Sequence, residues 1–293
     1  LSTASGEKKM NTRETDKNFL YQYYQNCRSY VADSKELYLY TDEKFRHSMQ
    51  VVGAGNYLLK NEKELQSWTP EQKYLGWQGC LFHDIGRFKE IYQRYDNKDL
   101  HGANLCKYDH GEFSYQILKT SEQYNNPLLL FPVRHHGHLD SDFFTEEGWL
   151  SASPTEQNIM KNLFFLIKDA DKIANFYLFK CHPEYYGTLI CGTEEMDSHA
   201  SPKILESLTR HELCRNADIS TPLDQILRIL SWVFDLKFAG SFAFLHRLEC
   251  VEAMLSRIRK YNTDNKSQEM IERIIRNFIT KSINITNIKG KTL

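Results

Sequence analysis

The stretch Leu163–Leu178, Leu-Phe-Phe-Leu-Ile-Lys-Asp-Ala-Asp-Lys-Ile-Ala-Asn-Phe-Tyr-Leu, is apolar around most of a helical circumference. That is the pattern of a central helix buried on nearly every side. It nevertheless carries two carboxylates, Asp169 and Asp171. A carboxylate is almost never buried without cations or donors to hold it. A chain with this segment must therefore wrap other elements around the helix and bring cations to it. Periodicity does not choose between the two acids. Asp171 shares a stripe with Ile167, Ala174 and Leu178, and Asp169 shares one with Phe165, Ile173 and Phe176.

Candidate partners lie upstream. Thr41-Asp42-Glu43-Lys44 reads as the opening of a helix on which His47, Val51, Ala54 and Leu58 form one face, so His47 points inward. Thr69 reads as an N-cap with Pro70 at the first helical position. That helix runs through Leu75, Gly79 and Phe82 to His83-Asp84, and Gly86 is expected to cap its end. Neighbouring residues in a regular helix point about 100° apart. At a helix end the backbone turns, so His83 and Asp84 can both reach one site. Asp109 reads as the N-cap of a further helix, with Glu112 as its capping-box partner, and His110 shares a face with Ile117. The apolar run Pro127–Val133 ends in Arg134-His135-His136-Gly137-His138, a histidine density that packing alone does not explain.

With only seven prolines and fourteen glycines in 293 residues, the chain is expected to be all-α. The first helix is placed at about 12–31, and Glu90–Leu105 reads as a polar loop over the site mouth, carrying Arg94. Cys181–Ser201 reads as a loop or insertion. Helices follow over 205–213, 222–234, after Ser241 and over 268–278, and the tail 283–293 is expected to fray. The basic residues Arg257, Arg259, Lys260, Arg273 and Arg276 read as a solvated face. A net charge of −1 gives no field to draw in nucleic acid, and none is expected as partner. No apolar run approaches the ~20 residues of a membrane span, so no membrane partner is expected. The polar start, Leu1–Lys9, is not read as a signal peptide. Seven scattered cysteines without a C-x-x-C pair suit reduced thiols and a cytoplasmic location.

The order His47, His83-Asp84, His110, His135-His136-Gly, Asp171 resembles the metal-binding pattern of the HD-domain superfamily of phosphohydrolases. His-Asp-Ile-Gly-Arg-Phe at 83–88 and Lys-Asp-Ala-Asp-Lys at 168–172 resemble a bacterial branch of it. The resemblance implies an HD helical core over 41–195. An N-terminal arm and helix (1–40) would precede it, and a C-terminal helical extension (196–293) would pack on it. It implies metal ligation by His47, His83, Asp84, His110, His135 and Asp171, with Asp171 chosen because a small residue precedes it. His135 is favoured over His136 by the His-His-Gly register. In the register of a related subgroup His136 is the ligand; otherwise it touches substrate. Two divalent transition ions are implied, Fe, Mn, Co, Ni or Zn by donor type, bridged by Asp84 and holding a hydroxide between them. Arg87, Lys172 and Arg94 would meet a small phosphorylated substrate, a nucleotide or related metabolite. The alternatives are a nucleotide-sensing HD module with little turnover and an HD-fold di-iron oxygenase.

Overall fold

The computed structural model describes residues 4–99, 108–182 and 198–289, with side chains from 12 to 283 within those limits. It is all-α: the one β-type feature among them is an isolated bridge between Ser198 and Asn262. Among the described residues no helix is long and apolar enough to cross a membrane. The chain divides into two compact units, Leu1–Asp171 and Lys172–Leu293.

The first unit begins with α1 (Ala4–Tyr30) and α2 (Lys35–Asn61). The helix carrying His47 starts earlier than its sequence suggests. Ser34 takes the extended N-cap geometry, and its Oγ accepts from Leu37 N. Thr41 lies inside the helix, buried, and its hydroxyl donates to Leu37 O at 2.7 Å. A threonine can satisfy itself in this way within a helix, so its presence alone does not mark a start. α1 is fastened by the buried carboxylate of Asp16, which accepts from Gln78, Gln123, Tyr74 and Tyr124.

After the short α3 (Lys63–Gln66) comes α4 (Pro70–Phe82), with Thr69 at its N-cap as expected. A full capping box closes there: Gln72 N donates to Thr69 Oγ1, and Gln72 Oε1 accepts from Thr69 N. Next come α5 (Gly86–Asp96), α6 (His110–Lys119), α7 (Pro127–His135), the short α8 (Asp140–Thr145) and α9 (Glu147–Leu150), and the long α10 (Pro154–Cys181). α10 is the central helix expected from its composition: Leu163, Phe164, Leu166, Ile167, Asp169 and Ala170 are all fully buried. α4 lies hard against it at Gly79, where an added Cβ would stand 2.9 Å from Ile167 Cδ1. α4 also packs extensively on α2, as α6 does on both α5 and α7. These contacts bring α2, α4, α6, α7 and α10 close enough for their polar residues to meet.

Two further expectations change here. Gly86 does not cap α4 but opens α5, after a tight turn at 83–85 in which Ile85 N donates to Phe82 O and Arg87 N to Asp84 O. The polar segment from Glu90 is not a loop as far as Asp96: it is the rest of α5, and Phe88 and Ile91 are fully buried on its inner face. The end of the expected loop, 100–105, lies outside the described residues, as does most of the expected loop at 181–201.

The second unit contains the end of α10, then α11 (Pro202–Thr209), α12 (Pro222–Leu230), a 3₁₀ turn at Ser231–Asp235, α13 (Ala239–Arg247), α14 (Cys250–Tyr261) and α15 (Asn265–Lys289). α15 continues through the positions expected to fray; 290–293 lie outside the described residues. Arg259 pairs with Glu272 and Arg276 with Glu252, which ties α14 to α15 on an exposed face, as expected for these two. Arg257, read with them as solvated, is instead half-buried over the Phe179 ring.

Candidate metal centre

His83 and Asp84 sit in the turn between α4 and α5, where the change of axis lets both side chains face inward. Asp84 is 4% exposed, and its two oxygens face two different groups of imidazoles. Oδ2 lies 4.0 Å from His47 Nε2 on α2 and 3.9 Å from His83 Nε2. Oδ1 lies 3.3 Å from His110 Nε2 on α6 and 3.6 Å from His136 Nε2 just past α7. Asp171 of α10 closes the first group, with Oδ1 at 2.8 Å from His47 Nε2 and 3.8 Å from His83 Nε2. His47, His83 and Asp84 form one set of ligand atoms suited to a metal, and Asp84, His110 and His136 form another.

The donor set tests well against a metal. His83 Nδ1 lies 2.9 Å from Cys80 O, and His136 Nδ1 lies 2.7 Å from Val133 O. Each carbonyl accepts the Nδ1–H, so each Nε2 carries its lone pair into the site. His83 Nε2 is buried and has no hydrogen-bond partner among the described residues. His110 Nε2 and His136 Nε2 are 3.2 Å apart. Two nitrogens on one ion at ~2.0–2.1 Å would lie about 3.0–3.4 Å apart.

Charge and burial keep these groups in the forms that bind metal. Burial lowers the His83 pKa to about 4 against the pull of Asp84, and burial with the adjacent Arg87 holds His110 well below the usual imidazole value. Both are neutral at pH 7. Burial would push the Asp84 carboxyl up, but Arg87, His83 and His110 outweigh it and hold it well below the usual carboxylate range. The His47 hydrogen bond similarly overcomes burial and keeps Asp171 ionised.

The structure reverses the assignment of the histidine pair. His136 comes to Asp84, and His135 does not. His135 is 1% exposed, its ring packed on Phe131 and Phe143, with Nδ1 3.2 Å from His138 Nδ1. At the end of α7 the two rings diverge, and the aromatic cluster beside α8 takes the first. His136, a ligand in one register and otherwise a substrate contact, stands among the candidate ligands. Glu112 also departs from its expected capping role: Asp109 Oδ1 accepts from Glu112 N, but the Glu112 carboxylate pairs with Arg134 at 2.6 Å.

Arg87 stands beside Asp84 as expected, with Nε 3.4 Å from Oδ1 and Nη1 2.7 Å from Glu90 Oε2. Arg94 is not a loop residue open to substrate. It is 4% exposed on α5, with Nε 2.9 Å from Glu90 Oε1. Lys172 pairs with Asp235 at 2.9 Å within the second unit.

Three residues at the centre were not singled out from the sequence. Lys44, one turn before His47, lies over the Tyr40 ring; burial works against its charge, but Tyr40 and Asp84 outweigh burial and hold its pKa above the ordinary value. Its i, i+3 spacing from His47 was the available signal. Glu90 is fully buried three residues after Arg87. Ser114 is fully buried, and its Oγ lies 2.8 Å from His83 O and 2.9 Å from His110 O while accepting from Gly86 N at 2.9 Å. Gly86 is required there by close approach. An added Cβ would collide with His110 O and stand 2.5 Å from Ser114 N. One hydroxyl and one missing side chain thus join the two halves of the centre.

Searches of family models, curated proteins and solved structures found no match to this chain.

Proposed function

We propose that this chain is an HD-type metal-dependent phosphohydrolase that cleaves a phosphate ester of a small substrate, a nucleotide or related metabolite. The observation that carries the reading is the division of Asp84, with one oxygen facing His47 and His83 and the other facing His110 and His136. A carboxylate so placed is suited to bridge two ions. Mixed imidazole and carboxylate donors favour Fe, Mn, Co, Ni or Zn over Ca. A bound pair of such ions would supply Lewis acidity and an activated water for displacement at phosphorus.

The chain's own residues do the rest. His47, His83, Asp84 and Asp171 hold one ion, and Asp84, His110 and His136 hold the other. Arg87 binds the phosphoryl oxygens, since a guanidinium has no lone pair for a metal. Lys44 adds positive charge beside it, the role expected of Lys172. Among the described residues, Cys27, Cys80, Cys181, Cys214 and Cys250 are free thiols, in keeping with a cytoplasmic protein.

The test is metal analysis of the purified chain followed by a phosphate-release screen over nucleotides and simple phosphate esters. About two transition ions per chain with phosphate release from some substrates is the expected result. A two-metal preparation that releases phosphate from none of them would refute the reading.

A further inference from the structure

Asp84, Arg87, Glu90 and Arg94 make an alternating ladder of charge along the inner face of α5 and the turn before it. Its rungs are all in the first unit: Asp84 Oδ1 to Arg87 Nε at 3.4 Å, Arg87 Nη1 to Glu90 Oε2 at 2.7 Å, and Glu90 Oε1 to Arg94 Nε at 2.9 Å. Glu90 is 0% exposed and Arg94 4%. A buried carboxylate is costly to desolvate. Glu90 Oε2 takes the hydrogen bond of Arg87 Nη1, while Glu90 Oε1 and Arg94 Nε stand at ion-pair distance without an aligned hydrogen bond. One guanidinium would serve to pair it; the second needs another explanation.

The atoms of Arg87 provide one. Its Nη1 donates to Glu90 at 2.7 Å. Its Nε is buried and, although within ion-pair range of Asp84, makes no aligned hydrogen bond to any described residue. With Nη1 held by Glu90, the planar group presents its Nε–Nη2 edge on the side of Asp84 Oδ1. That edge is the fork that matches two oxygens of a phosphate.

We propose that Glu90 is a positioning residue: it holds Nη1 of Arg87 so that the Nε–Nη2 edge forms a bidentate seat for a phosphoryl group beside the Asp84–His110–His136 half of the centre. Arg94 is its counter-ion. It balances the second half of the Glu90 charge, so Glu90 orients Arg87 without neutralising it. This rests on the phosphohydrolase reading and names the residue that aims its phosphate contact.

The experiment titrates inorganic phosphate into the full, Mn²⁺-loaded chain by calorimetry and measures metal content and melting temperature on the same preparations. Wild type is expected to bind phosphate, and Arg87→Ala to lose that binding with metal content unchanged. Glu90→Gln is expected to bind phosphate about tenfold more weakly, the lower end of what removing an outer partner costs. Because Glu90→Gln leaves Arg94 unpaired, Glu90→Gln with Arg94→Met removes both charges and is expected to show the same loss in a chain that folds. If Arg87→Ala loses phosphate while both Glu90 variants bind it as wild type does, at whatever melting temperature, the positioning role is overturned and the phosphohydrolase reading stands. If metal-loaded wild type binds no phosphate, the seat is overturned, and the phosphate-release screen decides the phosphohydrolase reading separately.

Discussion

Asp84→Asn is the sharpest perturbation of the centre, because it keeps the shape of the side chain and removes the charge that both ligand groups share. Asp84 Oδ2 stands 3.9–4.0 Å from the nitrogens of His83 and His47, and Oδ1 stands 3.3–3.6 Å from those of His110 and His136. At about 4 Å and an effective dielectric near 20, losing one unit charge costs on the order of 4 kcal/mol. At 1.4 kcal/mol per decade that is roughly a thousandfold in affinity for each ion. An ion in contact with the oxygen would be nearer still, and the loss larger. The metal-free fold is expected to survive, because Arg87 keeps Glu90 as a partner. The assay is metal per chain by mass spectrometry after dialysis, with the melting temperature read with and without added Mn²⁺. Wild type retains metal and melts higher when loaded. Asp84→Asn retains little and shows almost no shift. Wild-type stoichiometry and an unchanged Mn²⁺ shift in Asp84→Asn would refute the bridging role.

The two adjacent histidines should separate cleanly: His136→Ala lowers metal content by one ion, whereas His135→Ala keeps both ions and lowers the melting temperature, because its ring packs on Phe131 and Phe143; metal analysis of both variants reads the difference. Gly86→Ala drives a Cβ into His110 O and Ser114 N and should cost about 1–3 kcal/mol in urea unfolding; an unchanged midpoint would count against the close packing of α5 on α6. For the metal-free chain, burial lowers His83 and His135 from the ordinary histidine value to about 4. The unfolded chain takes up those protons near pH 6.5 and the folded chain only near 4, so stability is complete above about 6.5 and falls as pH drops from there toward 4. Urea midpoints of chelator-treated protein at pH 7 and pH 5 check this, and an equal or higher midpoint at pH 5 would contradict it.

What the sequence determined by itself is what depends on local period and local chemistry. Few prolines and glycines and long apolar stripes imply helices, and helices are what form. Thr69 and Asp109 are legible as caps because capping is settled within one turn. The inward direction of His47 and the burial of Leu163–Ala170 follow from the 3.6-residue period, which needs no partner to be read. His47, His83, Asp84 and His110 stand together as expected, whereas Asp171, which closes the first group, is set apart from Asp169 only by the resemblance, since periodicity leaves the two open.

The tertiary structure decided everything that turns on which neighbour arrives. His135 and His136 are chemically alike and one residue apart, and only the Phe131–Phe143 packing assigns one to the core and the other to Asp84. Thr41 carries a capping signal, but Ser34 lies earlier and starts the helix first. Gly86 fits a helix end as well as a close crossing; α6 arriving against it makes it the second. Arg94 is polar enough for a loop, yet Glu90, buried on the same helix, draws it in. Ser114 has no local signal at all, since its role lies in carbonyls 31 and 4 residues away. Periodicity tells which side of a helix faces inward, and long-range packing alone tells what it faces.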